Sequence, residues 1–293
     1  MRIDAHQHFW RYSADEYGWI DESMAALRRD FLPSESGREM TRAGFDGCVA
    51  VQARQTLQET EFLLALADEY PEILGVVGWI DLQADDVRSQ IARFARHPRL
   101  VGFRHIVQSE ADDRFLLRPA FCRGIAELEA ADLAYDILIY RRHLPVAAEF
   151  VAGFPRMRVV LDHLAKPEIK TGEIDGWRRD LQAIARFPNV FAKLSGLVTE
   201  ADRRRWTPAQ IAPYLDVALE CFGADRLMIG SDWPVCTVAA DYAATVGVVV
   251  DYVSRLSAAE REAVLGGNAR RFWRLDETGP VAHRAASGDR DVV

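Results

Sequence analysis

The sequence predicts a closed (β/α)8 barrel in a single domain, and three observations lead to this fold class. Eight short segments are continuously apolar, as strands are when a sheet is buried on both faces. Helical segments alternate with them, which is the pattern of a parallel sheet. The length of 293 residues suits one barrel domain. An open doubly wound sheet is the alternative, but no Gly-x-Gly-x-x-Gly turn follows the first strand.

The strands are predicted in chain order from apolar runs bounded by turns or charged segments. Only the first shows alternation, with Ile3 and Ala5 between the polar residues Asp4, His6 and His8. The predicted strands cover residues 2–10, 45–52, 73–80, 100–107, 135–140, 157–163, 189–195 and 226–232.

The helices between them are predicted from longer apolar patterns with start and stop signals. Pro33 opens the first helix and Gly44 closes it, while Pro71 and Pro98 close the next two. The predicted helices cover residues 34–44, 57–70, 85–96, 117–131, 145–152, 175–187, 208–222, 239–256 and 258–273.

Composition excludes several classes of function. Apolar residues make up 49% of the chain, enough for a large core, and the net charge of −8 disfavours nucleic acid or an anionic membrane as a partner. The apolar run at 246–250 is too short to span a bilayer. The four cysteines are widely spaced, so we expect neither a disulfide framework nor a thiolate zinc site.

The two ends of the chain support further expectations. The first strand begins at residue 2 and leaves no room for a signal peptide, which together with the cysteine pattern predicts a cytoplasmic protein. Residues 276–293 lose apolar content and are predicted to be a disordered tail after a barrel at 1–275. Residues 11–32 carry aromatic side chains and either cover the site as a lid or pack against their own domain.

His6 and His8 are the first candidate functional residues. Side chains two apart on a strand share a face, with β-carbons roughly 6 to 7 Å apart. Two imidazoles so placed can converge on a metal ion or on a substrate oxygen. The alternative is a strand end with two solvated histidines.

Polar residues also follow the later strands, and the carboxyl ends of barrel strands meet at one mouth. Asp232 follows the eighth strand and is placed to take a proton from water, or to cap a helix instead. His163 can polarise a carbonyl, hold a metal or be structural. Arg104 and Lys193 can bind substrate oxygens or form ion pairs. Gln52, His105 and Trp233 are further candidates for substrate contacts.

Three motifs resemble the amidohydrolase superfamily: His6-x-His8, Leu161-Asp162-His163 and Gly230-Ser231-Asp232-Trp233-Pro234. The segments 102–105, 161–167 and 193–196 are similar to the sugar lactonases of its amidohydrolase-2 branch, of the L-fuconolactonase and L-rhamnonolactonase type. The resemblance spans residues 2 to 273, nearly the whole chain.

The resemblance implies hydrolysis of a sugar lactone in L-fucose degradation. Water would attack the ring carbonyl with Asp232 as general base, while His6, His8 and His163 stabilise the oxyanion and Arg104 holds sugar hydroxyls. A binuclear site would also need a lysine on a middle strand and histidines on the fifth and sixth strands, and the fifth strand of this chain has neither lysine nor histidine. One Zn2+ or another divalent metal, held by His6, His8 and Asp232, or a metal-independent site, are both compatible with the branch.

Two other functions remain open at this point. One is a zinc-dependent decarboxylase or muconate-type lactonase of the same branch, although a decarboxylase is expected to have a further histidine on the fifth strand. The other is a barrel that binds sugar acids without turnover. The sequence leaves the oligomeric state open.

Overall fold

Eight parallel strands form one sheet and follow one another in chain order, which confirms the predicted barrel. The computed structural model describes residues 1–275, so the predicted tail at 276–293 lies outside the described residues. The strands are β1 (Ile3–Gln7), β2 (Gly47–Val51), β3 (Ile73–Gly78), β4 (Leu100–His105), β5 (Ala134–Ile137), β6 (Val159–Leu161), β7 (Val190–Leu194) and β8 (Leu227–Ile229).

Helices surround the sheet, and most lie where the sequence predicts them. The predicted helix 239–256 begins only at Tyr242, because Asp241 caps it by accepting a hydrogen bond from the Ala244 amide at 2.7 Å. The helices are α1 (Pro33–Ala43), α2 (Leu57–Glu69), α3 (Val87–Phe94), α4 (Pro119–Ala130), α5 (Leu144–Ala152), α6 (Asp175–Ala185), α7 (Leu197–Glu200), α8 (Pro208–Phe222), α9 (Tyr242–Val253), α10 (Ala258–Glu262) and α11 (Asn268–Trp273). None of the helices within residues 1–275 has the length and apolar character that crossing a membrane requires.

The barrel closes between β8 and β1 without a regular ladder. Gln7 and Trp233 form an isolated parallel bridge. The His8 amide donates to the Trp233 carbonyl at 2.7 Å, and the Asp232 amide donates to the His6 carbonyl at 2.9 Å. The closing seam therefore runs through the residues that carry the candidate site.

A bulge in β1 separates two sets of polar residues that the sequence pattern places on one face. The register of β1 against β2 shifts between Asp4 and Gln7, so one extra residue is inserted there. As a result Asp4 turns to α9, where it accepts from Tyr242, whereas His6 turns to Lys193 inside the barrel. Asp4 thus lies on a different face from the histidines, and the predicted common face of His6 and His8 is confirmed by their contact.

The barrel interior is layered along its axis. Its lower part is an apolar cluster that includes Val77, Val101 and Val160, and α11 closes it with Phe272 and Trp273. Polar side chains of the inner face begin directly above, since the Lys193 ammonium lies 5.1 Å from the centre of the Trp273 ring. The apolar layer supports the polar layer from below, and the polar layer forms the base of the site.

Candidate active site

A cavity of about 420 Å³ opens at the carboxyl ends of the strands. Four of the predicted site residues line it: His8, Arg104, His163 and Asp232. Its volume suits a small-molecule ligand.

His8 has a defined tautomer that turns a lone pair toward Asp232. Its Nδ1 lies 2.7 Å from the Val51 carbonyl oxygen, which can only accept, so Nδ1 carries the proton in the neutral ring. The other nitrogen, Nε2, lies 3.2 Å from Asp232 Oδ1 and 3.1 Å from His6 Nε2. When Nε2 of both imidazoles is unprotonated, His6 Nε2, His8 Nε2 and Asp232 Oδ1 are three acceptor atoms that face one another with no hydrogen between them.

This donor set fits one metal ion. His6 Nε2, His8 Nε2 and Asp232 Oδ1 are separated by 3.1, 3.2 and 3.8 Å. Ligands about 2.0–2.1 Å from a tetrahedral zinc are roughly 3.3 Å apart, close to these separations. Arg104 Nη1 lies 3.2 Å from His6 Nε2, so a metal would compete with the guanidinium for that lone pair.

The protonation states also suit metal binding. Burial lowers the pKa of His163 to about 4. Burial, reinforced by the charge of Lys193, lowers the pKa of His6 well below its usual range. Burial acts against ionisation of Asp232, but the three surrounding imidazoles outweigh it and bring the pKa of that carboxyl below its ordinary value. At neutral pH Asp232 is therefore a carboxylate beside the neutral imidazoles of His6 and His163.

His163 is presented by a left-handed turn instead of the predicted end of a strand. Strand β6 stops at Leu161, and the four residues 163–166 have φ angles of 52°, 52°, 58° and 54°. Non-glycine residues rarely adopt this conformation, and each one costs roughly 1–2 kcal/mol. The turn directs both His163 and Lys166 into the cavity.

Residues after β7 hold the His163 ring in place. Ser195 Oγ lies 2.8 Å from His163 Nδ1, which leaves Nε2 on the side of Asp232, 4.0 Å from Oδ1. Gly196 has a φ of +67°, and a β-carbon there would lie 2.8 Å from His163 Nδ1. The glycine is therefore required both for its backbone and for the close approach of the imidazole.

A buried ionic layer lies beneath the histidines. Lys193 Nζ is 2.5 Å from Asp136 Oδ2, 2.9 Å from Asp162 Oδ1 and 3.1 Å from His6 Nδ1. Arg104 Nη1 donates to Asp162 Oδ2 at 2.9 Å. Two cations and two carboxylates thus balance in charge and fix the His6 ring from below. Sequence reasoning did not assign Asp136 or Asp162 a role.

Asp4 lies on the outer face of β1 and joins the first strand of the barrel to the segment after the last strand. Its Oδ1 accepts from the amides of Ser231 at 2.9 Å and of His6 at 3.1 Å. Its Oδ2 accepts from Gln7 Nε2 at 2.8 Å and from the Tyr242 hydroxyl at 3.0 Å. This carboxylate, also missed in the sequence, ties the turn before Asp232 to the strand that carries the histidine pair.

Other predicted site residues lie outside the cavity lining. Gln52 and Lys193 are fully buried beneath it, and Gln52 accepts from Arg104 through both its backbone and its side-chain oxygen. His105 points away from the barrel axis, bonded to Glu110 at 2.7 Å and stacked on an aromatic ring. Trp233 packs against Phe9 and Phe31. The side chains of these four residues therefore do not line the cavity.

Residues 10–31 form a closed loop over the mouth. Trp10 and Phe31 pair at its neck through two backbone hydrogen bonds of 2.9 Å. Trp19 and Met24 line the cavity, while Tyr17 is buried in the loop's own packing. Trp19 and Met24 thus cover the site, as the lid alternative expects, whereas Tyr17 packs within the domain, as the other alternative expects.

The fold and the site together define a (β/α)8-barrel enzyme with its active site at the carboxyl ends of the strands. The sequence comparisons give its family. The chain belongs to the amidohydrolase family, whose sequence pattern matches residues 3–275. The predicted family is thus confirmed.

Two curated relatives cover almost the whole chain. An L-fucono-1,5-lactonase of Burkholderia multivorans is 46% identical over 94% of this chain and 97% of its own length. An L-fucono-1,5-lactonase of Burkholderia ambifaria is 38% identical over 97% of this chain and 99% of its own.

Solved structures agree in fold. An amidohydrolase of Burkholderia multivorans with bound zinc superposes with a TM-score of 0.90 at 45% identity, covering 94% of this chain and 99% of its own. A 2,6-dihydroxybenzoate decarboxylase from Rhizobium reaches a TM-score of 0.67 at 14% identity, covering 94% and 99%, and so shares the fold alone.

Proposed function

We propose that the protein hydrolyses L-fucono-1,5-lactone to the open aldonic acid. The observation that carries the proposal is the position of Asp232 in the cavity, with Oδ1 at 3.2 Å from His8 Nε2 and 4.0 Å from His163 Nε2. The names of the two curated relatives support the same substrate. Charged side chains in the lining, among them Lys166 and Glu200, suit a ligand rich in hydroxyl groups.

The mouth has a feature that suits a sugar ring. Trp19 and Tyr140 both line the cavity and are 39% and 38% exposed. Large apolar side chains exposed at a cleft are typical of ligand-binding surfaces. Aromatic faces at this place can pack against the C–H face of a pyranose ring.

In the mechanism we infer, Asp232 takes a proton from a water molecule as that water attacks the lactone carbonyl carbon. The oxygen of the tetrahedral intermediate is stabilised by the Arg104 guanidinium, which is held rigidly by Asp162 and Gln52. The bond between the carbonyl carbon and the ring oxygen then breaks. Asp232 returns its proton to that ring oxygen, which becomes the hydroxyl of the acid.

His6, His8 and Asp232 are the residues that would hold a divalent metal. Zinc there would supply Lewis-acid polarisation and lower the pKa of a bound water. His163 stands beside this set, fixed by Ser195, and orients the reacting groups.

We propose that residues 1–275 are one catalytic domain that acts in L-fucose degradation in the cytoplasm. All four cysteines are unpaired, which suits a reducing compartment. We expect neither nucleic acid nor membrane as a partner.

Acid release from L-fucono-1,5-lactone, followed with a pH indicator, tests the proposal. We expect Asp232→Asn to lower kcat/KM by about 10²- to 10⁴-fold. Asp241→Asn is the matched control, because Asp241 only caps α9 and asparagine caps equally well. Wild-type protein that does not accelerate hydrolysis of this or any related sugar lactone would refute the proposed function.

Equilibrium dialysis tests the metal site. After treatment with a chelator, we expect the wild type to rebind one Zn2+ per chain in equilibrium dialysis and Asp232→Asn to rebind none. Zinc binding that is equal in both proteins would contradict the ligand set.

A further inference from the structure

Arg104 approaches His6 at the nitrogen that faces the other two candidate metal ligands. Its Nη1 lies 3.2 Å from His6 Nε2, and the same Nε2 lies 3.1 Å from His8 Nε2 and 3.8 Å from Asp232 Oδ1. A guanidinium group can only donate, so this contact is a hydrogen bond when Nε2 presents its lone pair. Arg104 therefore uses the lone pair that a metal ion would need.

The other nitrogen of His6 fits the same tautomer. When Nε2 accepts from Arg104, Nδ1 of the neutral ring carries the hydrogen and faces Asp162 Oδ1 at 3.5 Å. Lys193 Nζ, 3.1 Å from Nδ1, then directs its hydrogens to Asp136 and Asp162. A carboxylate at the far nitrogen is also the usual partner of a histidine that binds metal. One tautomer thus serves both Arg104 and a metal ion, which makes them alternative partners of the same atom.

The guanidinium of Arg104 is held at this place from two sides. Its Nη1 donates to Asp162 Oδ2 at 2.9 Å, and its Nη2 donates to the Gln52 carbonyl at 2.5 Å. The residue is only 3% exposed, so the charge has little water around it. Like charges at short range repel more strongly in such surroundings than in water. A metal ion that binds His6 Nε2 therefore breaks one hydrogen bond and meets a fixed positive charge.

Resting on the proposed ligands His6, His8 and Asp232, we propose that Arg104 is a built-in competitor that keeps the affinity of this site for divalent metal low. The guanidinium occupies the lone pair of one ligand and repels the ion from the other two. An exchangeable ion, and not a permanently bound one, is the result.

Zinc titration in competition with a chromophoric chelator measures the dissociation constants of the wild type and of Arg104→Met. Methionine keeps a long, flexible side chain but has neither the charge nor the N–H groups. We expect the variant to bind one Zn2+ per chain about 10- to 100-fold more tightly than the wild type, the range in which groups beside metal ligands usually change metal affinity. Equal or weaker binding by the folded variant would overturn the proposal.

Arg203→Met is the matched control. Arg203 also lines the cavity, but its guanidinium contacts Ser23 Oγ at 3.4 Å and lies on the loop after β7. The control removes one positive charge from the same cavity, and its zinc affinity should equal that of the wild type. Tightening as large as in Arg104→Met would show a general effect of charge and would overturn the specific role of Arg104.

A second measurement does not depend on the folding of Arg104→Met, in which Asp162 loses one of its two cationic partners. In a crystal structure of the zinc-loaded wild type, we expect the guanidinium to have moved away from His6 Nε2. A guanidinium that still lies about 3.2 Å from Nε2 while zinc is bound to that nitrogen would overturn the competition.

Failure of this inference is distinguishable from failure of the proposed function. Absence of zinc binding in both the wild type and Arg104→Met would overturn the ligand set and the competition together, while acid release from the lactone by the wild type would leave the lactonase function standing. A zinc difference as expected, in a protein that accelerates no lactone hydrolysis, would refute the function alone.

Discussion

Replacing Lys193 by methionine tests whether the buried ionic layer acts as a charge-balanced unit. Lys193 and Asp136 are fully buried, and Lys193 contacts Asp136 and Asp162 at 2.5 and 2.9 Å. The wild-type layer has two positive charges, on Lys193 and Arg104, and two negative charges. Lys193→Met leaves one excess negative charge, Asp136→Asn leaves one excess positive charge, and the double variant is balanced again.

The size of the effect follows from the distances and the burial. With an effective dielectric constant of ~20, each Lys193–carboxylate pair attracts by roughly 6 kcal/mol, most of which offsets the removal of the charges from water. Breaking a buried pair from one side typically costs about 3–5 kcal/mol, because a charge is left without its partner. We expect each single variant to lose that much free energy of unfolding. The double variant should lose clearly less than the sum, with a coupling of about 2 kcal/mol or more.

Urea unfolding followed by both tryptophan fluorescence and circular dichroism measures the three free energies against the wild type. Coincidence of the two signals checks that the transitions are two-state. Losses of the two single variants that add up in the double variant to within about 0.5 kcal/mol would refute the reasoning, since independent sites behave in that way.

Two further predictions concern packing and pH. Gly124→Ala should lose about 1–3 kcal/mol of unfolding free energy in denaturant titrations, because a β-carbon there would lie 2.0 Å from the Leu82 carbonyl oxygen. Gly247→Ala is its control and should not destabilise, as nothing lies within 4 Å of that position; equal losses in both would contradict the packing argument. Burial raises the pKa of Glu200, so the stability that its proton contributes at low pH is lost as the pH rises through the folded-state pKa. Calorimetry should therefore show the Tm of Glu200→Gln rising relative to the wild type between pH 4 and pH 7, and a constant difference would show that this carboxyl does not contribute.

Sequence reasoning reached the fold because apolar strands and helix stop signals are local features. It also brought His8, His163, Arg104 and Asp232 to one mouth, because strand ends in a barrel share one edge. The depth of a side chain along the barrel axis is not local, however. Lys193 was expected near the mouth and instead lies under the histidines, because β7 places it one layer lower.

The residues that were missed show the same limit. Asp136 stands alone among apolar residues of β5, and a single carboxylate in a strand has no periodic signature. Its partner Lys193 lies on β7, 57 positions later, so the pairing depends on the closed barrel and not on a local pattern. The bulge that separates Asp4 from His6 depends on pairing between β1 and β2, so no pattern within β1 alone could predict it.

The seam between β8 and β1 has a consequence for how the protein acquires its activity during synthesis. Asp4 bonds to Ser231, 227 positions later, and the histidines of the first strand meet Asp232 only when the last strand is in place. At about 5–20 residues per second, the ribosome needs roughly 10 to 45 s to make the intervening chain. The nascent protein thus carries His6 and His8 long before Asp232 can join them, so lactone hydrolysis can begin only when the ring of strands is complete.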